Sequence, residues 1–463
     1  MTAHFTIQDI LQATGGTLWQ RGASTSFVGV STDSRTVQTG QIFIPLKGEN
    51  FDGHDYIGGA VRRGVGALVA QASWWRHQDQ PWPRDLTIIL VPDTLQALGD
   101  LAHIWRRRFI GTVVAITGSC GKTTTKEMIA QVLQSRFRLL KNELNLNNLI
   151  GLPHTLLRLG PEHEVAVVEM GMNRFGEIRR LSQIARPDIA VLTNVHAAHL
   201  EGLGSIGGVA RAKCEIVEGM AGSGLVIYNS DDPRLRNFFQ KWPGRSVGFG
   251  FAPGATVTAT NTCPCGPWGQ QTQVSFHGHT WTLEMPLPGR HQISNALAAT
   301  AVGLALGLTP EESAISLGQF RSLDKRSELQ RHDSGLIIFN DCYNANPGSM
   351  AMALQTLATL KNQGRALAAL GDMLELGNTT EAAHREVGGL AARLNLDLLI
   401  ICGKFRDYVK AGALAGGMPR SRIHTVASHS LGAEIVKEFC RPGDILLVKG
   451  SRGARMEKLL SCL

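Results

Sequence analysis

The sequence has no apolar run long enough to cross a bilayer: the longest, residues 296–308, falls short of the ~20 residues a spanning helix needs. Its opening stretch, MTAHFTIQDI, lacks a basic segment leading into an apolar one, so nothing there reads as a secretory signal. We therefore expect a cytoplasmic protein with no stable membrane insertion. No basic run exceeds Arg106-Arg107-Arg108 and no aromatics interleave with basic residues, so the net charge of +8 is not expected to serve nucleic acid. A phosphate-rich small substrate accounts for the same excess. Cysteine is sparse and scattered (positions 120, 214, 263, 265, 342, 402, 440 and 462), which in a large chain of cytosolic type predicts free thiols. The one close pair, Cys263 and Cys265, has no second pair or histidine cluster beside it, so a surface loop over 261–272 is favoured there over a zinc site. Internal repeats and low-complexity tracts are also missing.

What is present describes a chain folded nearly throughout, with 43% hydrophobic and 18% charged residues. At 463 residues it is too long for one core, and its texture changes twice. Residues 1–94 carry short strand-like runs (FVGV, QIFIPLKG, GALVAQ) between turn residues and predict a small mixed α/β domain. Over 95–320 apolar runs alternate with amphipathic stretches: VVAITGS precedes a helix from Thr123, VAVVEMG precedes EIRRLSQIA, and IAVLTNV precedes VARAKCEIVEGM. That alternation predicts a central parallel sheet covered on both faces. Over 321–463, LIIFND, ALAALGD, LLIICG and ILLVKGS predict a smaller, doubly wound, Rossmann-like domain. The fold class expected is α/β in three domains, with a hinge near residue 320.

The stretch AITGSCGKTTT, 115–125, lies where a strand ends and a helix begins. Backbone N–H groups and the helix dipole there favour an anion, and Gly118, Ser119, Cys120 and Gly121 let the chain approach a phosphate closely. Lys122 reaches the β- and γ-phosphates in such a loop, and the Thr123 hydroxyl can ligate Mg²⁺, with Thr124 following. A full phosphate-loop motif would place glycine where Ile116 stands, so a glycine turn with a surface lysine stays open on this stretch alone. Glu169 and His199 fall just past other strand ends, the side of an open parallel sheet where ligands bind. A carboxylate and an imidazole beside a triphosphate suit a second divalent cation. Cys120, at a helix N-terminus beside Lys122, is expected to have a lowered pKa, to alkylate early and to be protected by Mg-ATP, the alternative being a buried inert thiol.

ITGSCGKTTTKEM, EMGMNRFGEI, TNVHAAHLEGLGS, ARAKCEIVEGM, GRHQISNALAATAV and NDCYNANPGSM, in this order, resemble the motifs of the Mur ligase family, whose loop is shortened at the position of Ile116. LNLNNLIGLPHTLLRL, LGDMLELG and VKGSRGARMEKL resemble the branch that adds D-alanyl-D-alanine to UDP-N-acetylmuramoyl-tripeptide for peptidoglycan. The resemblance implies ATP and Mg²⁺ as cofactors, an acyl-phosphate intermediate and a monomer. By the same resemblance Lys122 holds ATP phosphates, Glu169, His199 and Thr123 hold magnesium, and Lys213 is carbamylated by CO₂ and joins them. Asn295 would read adenine, Arg326 contact the γ-phosphate and Asp341 the ribose. Ser31, Asp33, Ser34, Arg35 and Lys47 would hold the UDP end, Asn147 and Asn148 would face the muramoyl part, and Tyr343, Asn344 and Asn346 the dipeptide. Members that add a diamino acid carry D-N-P-R where this chain has N-A-N-P-G, without that arginine. A folylpolyglutamate-synthase-like ligase, another amino-acid-adding Mur ligase and a P-loop switch are the competing readings.

Overall fold

The computed structural model describes residues 3–77, 81–361 and 364–463. Three sheets follow one another along the chain. The first is five-stranded, in the order Thr17–Gln20, Thr87–Val91, Ala67–Gln71, Ile42–Phe43, Val30–Ser31, and a small pair, His4–Thr6 with Ser26–Val28, lies beside it. Helix Thr94–Arg107, N-capped by Asp93, leads out of this region, and its buried Ala97, Leu98, Leu101 and Ala102 join a core that also takes in Phe5 and Ile10 and one face of the central sheet.

The central sheet has nine strands, and Thr112–Thr117 lies between Val165–Glu169 and Ile189–Leu192, parallel to both. In Thr112–Thr117, Val113 and Ala115 face one core and Val114 and Ile116 the other, the two-sided burial that makes such strands uniformly apolar. Beyond Arg245–Gly250 and Val257–Pro264 the parallel sheet continues into an antiparallel extension through Gln270–Phe276 and His279–Met285. The surface loop expected over 261–272 is therefore corrected: Cys263 pairs with Gln271 and Pro264 with Gln270 in a β-hairpin. Its core-facing positions include polar Gln270 and Thr272, which hides the alternation; Gln270 is buried because its amide donates to the Leu287 and Gly289 carbonyls, both at 2.8 Å.

The third sheet has six strands, with Ile445–Lys449 between Ile337–Asp341 and Ala366–Leu370 and only Glu328–Arg331 antiparallel. The connection into it contains Lys325 at φ 59° and Ser327 at φ 53°, left-handed conformations that non-glycine residues rarely adopt and that bracket Arg326.

Candidate active site

Helix Lys122–Leu133 starts at Gly121, whose φ of 78° turns the chain from strand into helix. Gly118 has to be glycine, because a Cβ there would lie 1.8 Å from Thr193 Oγ1. The loop is braced from the neighbouring strand end: Cys120 N–H donates to Asn194 Oδ1 at 2.9 Å, and Thr193 Oγ1 donates to the Cys120 carbonyl at 2.7 Å. Lys122 Nζ donates to the Gly118 carbonyl at 2.9 Å. Ser119 Oγ and the backbone of His196 exchange two hydrogen bonds, at 2.9 and 3.1 Å.

Glu169 is buried at the end of its strand, and each carboxylate oxygen has a partner: Thr123 Oγ1 donates to Oε2 at 2.7 Å and Asn147 Nδ2 to Oε1 at 2.8 Å. Its backbone is clamped by Asn142, which accepts from Glu169 N–H at 2.9 Å and donates to the Glu169 carbonyl at 3.1 Å. Asn142 is itself held by Lys126, a fully buried lysine whose ammonium donates to the Asn142 carbonyl at 2.6 Å and pairs with Glu127 at 3.0 Å. His199 adopts a left-handed φ of 53°, the strained backbone that clusters at functional sites. Its Nδ1 lies 2.9 Å from Glu375 Oε2 of the C-terminal domain, within ion-pair distance but outside hydrogen-bonding geometry. Lys213, near the end of helix Ile206–Cys214, is buried; burial first, and then the charge of Lys122, push its amine well below the ordinary lysine value.

These groups open on one cavity of about 540 Å³ between the central and C-terminal domains. Ser119 to Thr124, Asn147, Asn148, Glu169, His199, Lys213 and Asn295 line the central side, and Arg326, Asp341, Tyr343, Asn344 and Asn346 the other. A second cavity of about 510 Å³ shares Cys120, Gly121, His291, Asn295 and Met352 with it and is otherwise walled by groups such as Phe251, Pro233 and Asn229. Asn295 is buried there, accepting from Thr125 Oγ1 at 3.2 Å. The Arg326 guanidinium lies 3.7 Å from the Tyr343 ring centroid. Asp341 pairs with buried Lys449 at 2.5 Å and accepts from Ser327 N–H at 2.9 Å.

The N-terminal group stands apart from this cavity. In the turn from Ser31 through Ser34, Asp33 forms a bidentate pair with Arg35, whose hydrogen bonds hold the Asp33 carboxyl down at about 2. The backbones of Lys47 and Asp52 form an isolated antiparallel β-bridge in a neighbouring turn.

One expectation is corrected. Cys120 is buried, with its Sγ donating to Asn346 Oδ1 at 3.2 Å, and burial raises its pKa; the charge of Lys122 pulls the other way without prevailing. Sequence reasoning also passed over Asn142, Lys126, His196 and Lys449. Nothing local marks a buried lysine, which in sequence reads like any solvated one.

With a phosphate loop, a carboxylate, an imidazole and a buried lysine facing a second α/β domain across one cleft, the architecture is that of a ligase closing on its substrates, and the chain belongs to the Mur ligase family. Residues 116–303 match the Mur ligase middle domain, 325–452 the Mur ligase glutamate ligase domain, and 26–106 the Mur ligase family catalytic domain. Within the family, the UDP-N-acetylmuramoyl-tripeptide--D-alanyl-D-alanine ligase of Bacillus subtilis (strain 168) is 38% identical over 459 residues, covering 99% of this chain and 98% of the relative. The crystal structure of MurF from Acinetobacter baumannii superposes with a TM-score of 0.89 at 30% identity, covering 99% of this chain and 98% of that one. MurF ligase from Thermotoga maritima in complex with ADP gives 0.84 at 28% identity, covering 94% and 96%.

Proposed function

We propose that this enzyme joins D-alanyl-D-alanine to UDP-N-acetylmuramoyl-tripeptide at the expense of ATP, giving the pentapeptide precursor of peptidoglycan, ADP and phosphate. The observation that carries the reading is the single cavity where the phosphate loop, Glu169, His199 and Lys213 face Arg326, Tyr343, Asn344 and Asn346. The names of the relatives support the substrates, and the ADP in the Thermotoga structure supports the nucleotide. We assign residues 1–94 to the UDP-bearing substrate, with Ser31, Asp33, Ser34, Arg35 and Lys47 at its UDP end, 95–320 to ATP and 321–463 to the dipeptide. Both walls of the cavity come from one chain, so one copy can assemble the site, and we take the enzyme to act as a monomer in the cytoplasm, where ATP is supplied.

A terminal carboxylate oxygen of the tripeptide attacks the γ-phosphorus, the bond to the β-phosphate oxygen breaks, and ADP leaves an acyl phosphate. The dipeptide amine then attacks the carbonyl carbon, loses a proton and expels phosphate, which carries off the carboxylate oxygen. Little covalent work falls to the protein, so catalysis is positioning and charge neutralisation. Lys122 and Arg326 supply positive charge to the phosphates, and the cavity around Asn295 and Phe251 suits the purine, with Asp341 on the ribose side. Thr123 and Glu169 fit a magnesium site: the Thr123 hydroxyl already touches the Glu169 carboxylate, and oxygen ligands are what Mg²⁺ takes, while His199 lines the same cavity and would add an imidazole nitrogen. When bound, Mg²⁺ supplies positive charge that offsets the transferring phosphoryl group. We assign Lys213 to these groups as a carbamate. Burial shifts its amine towards the neutral form, and a neutral amine is the form that adds CO₂ with loss of one proton.

The experiment is oxygen transfer. Tripeptide labelled with ¹⁸O in its terminal carboxylate is expected to deliver one labelled oxygen to each phosphate released; phosphate free of label would reject the acyl-phosphate route.

A further inference from the structure

A D-alanyl-D-alanine donor carries two charged ends, and the reading above uses only the amine. Its carboxylate sits one peptide unit away, at most ~7 Å along an extended dipeptide, so a cation is needed at that distance from the reacting carbon. Position 348, where diamino-acid-adding members carry arginine, cannot supply it: Gly348 is closed off by His196, whose Cγ would lie 2.4 Å from a Cβ there. Lys449 is committed to Asp341 and to the Asn344 carbonyl, and Lys122 belongs to the phosphate loop.

A further cation beside the cavity is Arg452, in the VKGSRGARMEKL stretch. It opens the short turn Arg452–Ala454 just after strand Ile445–Lys449. Its backbone N–H approaches Asn344 Oδ1 at 3.4 Å, and the preceding Ser451 hydroxyl donates to the Ala345 carbonyl at 3.0 Å, so the turn is tied to the loop that lines the cavity. Its guanidinium lies 5.6 Å from the Tyr343 ring centroid, the same ring that carries Arg326 at 3.7 Å. Two cations thus share one aromatic ring, and among the described residues neither has a carboxylate within ion-pair distance. Tyr343 and Asn344 line the cavity, so Arg452 stands beside it as a cation with no anionic partner among the described residues. If Arg326 answers the phosphoryl group, Arg452 remains for the second anion.

We propose that Arg452 receives the free carboxylate of the incoming dipeptide and so selects a donor ending in a carboxylate. This rests on the dipeptide-ligase reading, and the test separates the two. Ligation is measured with D-alanyl-D-alanine and with its C-terminal amide, in the wild type and in Arg452→Ala, Arg452→Gln and Arg452→Lys. The wild type is expected to prefer the acid. Arg452→Ala and Arg452→Gln should raise KM for the acid about ten- to a hundredfold, the range for losing a charge-assisted hydrogen bond, with KM for ATP and for the tripeptide unchanged. Their acid-to-amide preference should fall to near one, and Arg452→Lys should restore part of it. A merely structural arginine would move acid and amide alike. Dipeptide ligation in which Arg452→Ala and Arg452→Gln keep the wild-type preference overturns the role of Arg452 alone; a wild type that ligates no dipeptide overturns both readings.

Discussion

Glu169 has both oxygens engaged by neutral donors, Thr123 and Asn147, which fixes where its charge points without cancelling it. Glu169→Gln keeps the shape and removes the charge, so ligation is expected to fall at least about a hundredfold with an unchanged melting temperature; near-normal turnover would take Glu169 out of the site. Lys213 is the reverse, a charge the fold disfavours. Its folded pKa is depressed, so between that value and the ordinary 10.5 the unfolded chain binds more protons and stability rises with pH. Lys213→Met should therefore be inactive yet more stable at pH 7 in CO₂-free buffer, by about 1 kcal/mol, with the advantage shrinking towards pH 10. A less stable variant at pH 7 would contradict this. At Cys120 a local argument from helix dipole and neighbouring lysine left out burial, which raises its pKa and which its contact with Asn346, far off in sequence, accompanies. Mass mapping after alkylation should find exposed Cys263, Cys265 and Cys462 labelled well before Cys120; equal rates would restore the reactive thiol. That Lys122, Thr123, Glu169 and His199 face one cavity was legible because strand ends announce themselves, whereas Lys126 and Lys449 take their places only through burial.

At the scale of elements, helix Pro347–Leu360 docks on the phosphate loop through its first turn. Asn346 caps it by accepting from Ser349 N–H at 2.9 Å, and the same side chain meets Cys120 Sγ. Two residues on, Gly348 rests on His196, whose backbone is bonded to Ser119, so the helix start registers the loop's position. Gly348→Ala forces His196 to shift, and turnover is expected to fall about ten- to a hundredfold, from an overpacking strain of roughly 1–3 kcal/mol felt in the closed form. A cross-link reads closure independently: a Cβ at Gly377 would lie 3.9 Å from the Cβ of Glu201, within disulfide reach. The pair Glu201→Cys with Gly377→Cys, the latter at a left-handed φ of 53° that costs some strain, should still oxidise and do so more slowly once Gly348→Ala is added; equal rates would show that this contact does not gate closure. Elements with a continuous apolar strand before an amphipathic helix were readable in advance. The hairpin at 257–276 was not, since its inward positions are partly polar and only their distant partners make them tolerable inside.

The whole molecule places three sheets in series and puts its chemistry between the second and third, on one side of a connection strained at Lys325 and Ser327. That arrangement suits a reaction whose intermediate has to be kept from water, since closing the third domain on the second both assembles the site and excludes solvent. The Ser31–Arg35 turn lies outside the cavity yet reaches the central domain through Thr32, whose hydroxyl is 3.0 Å from His154 Nε2. A long substrate held at one end by the first domain can thus present its other end to the second. The most direct measurement is phosphate release with each reactant left out in turn: ATP with magnesium, UDP-N-acetylmuramoyl-tripeptide, and D-alanyl-D-alanine. Sustained release is predicted only when all three are present, with one pentapeptide product formed per phosphate. Steady release from ATP alone, or release with no matching product, would contradict the ligase account.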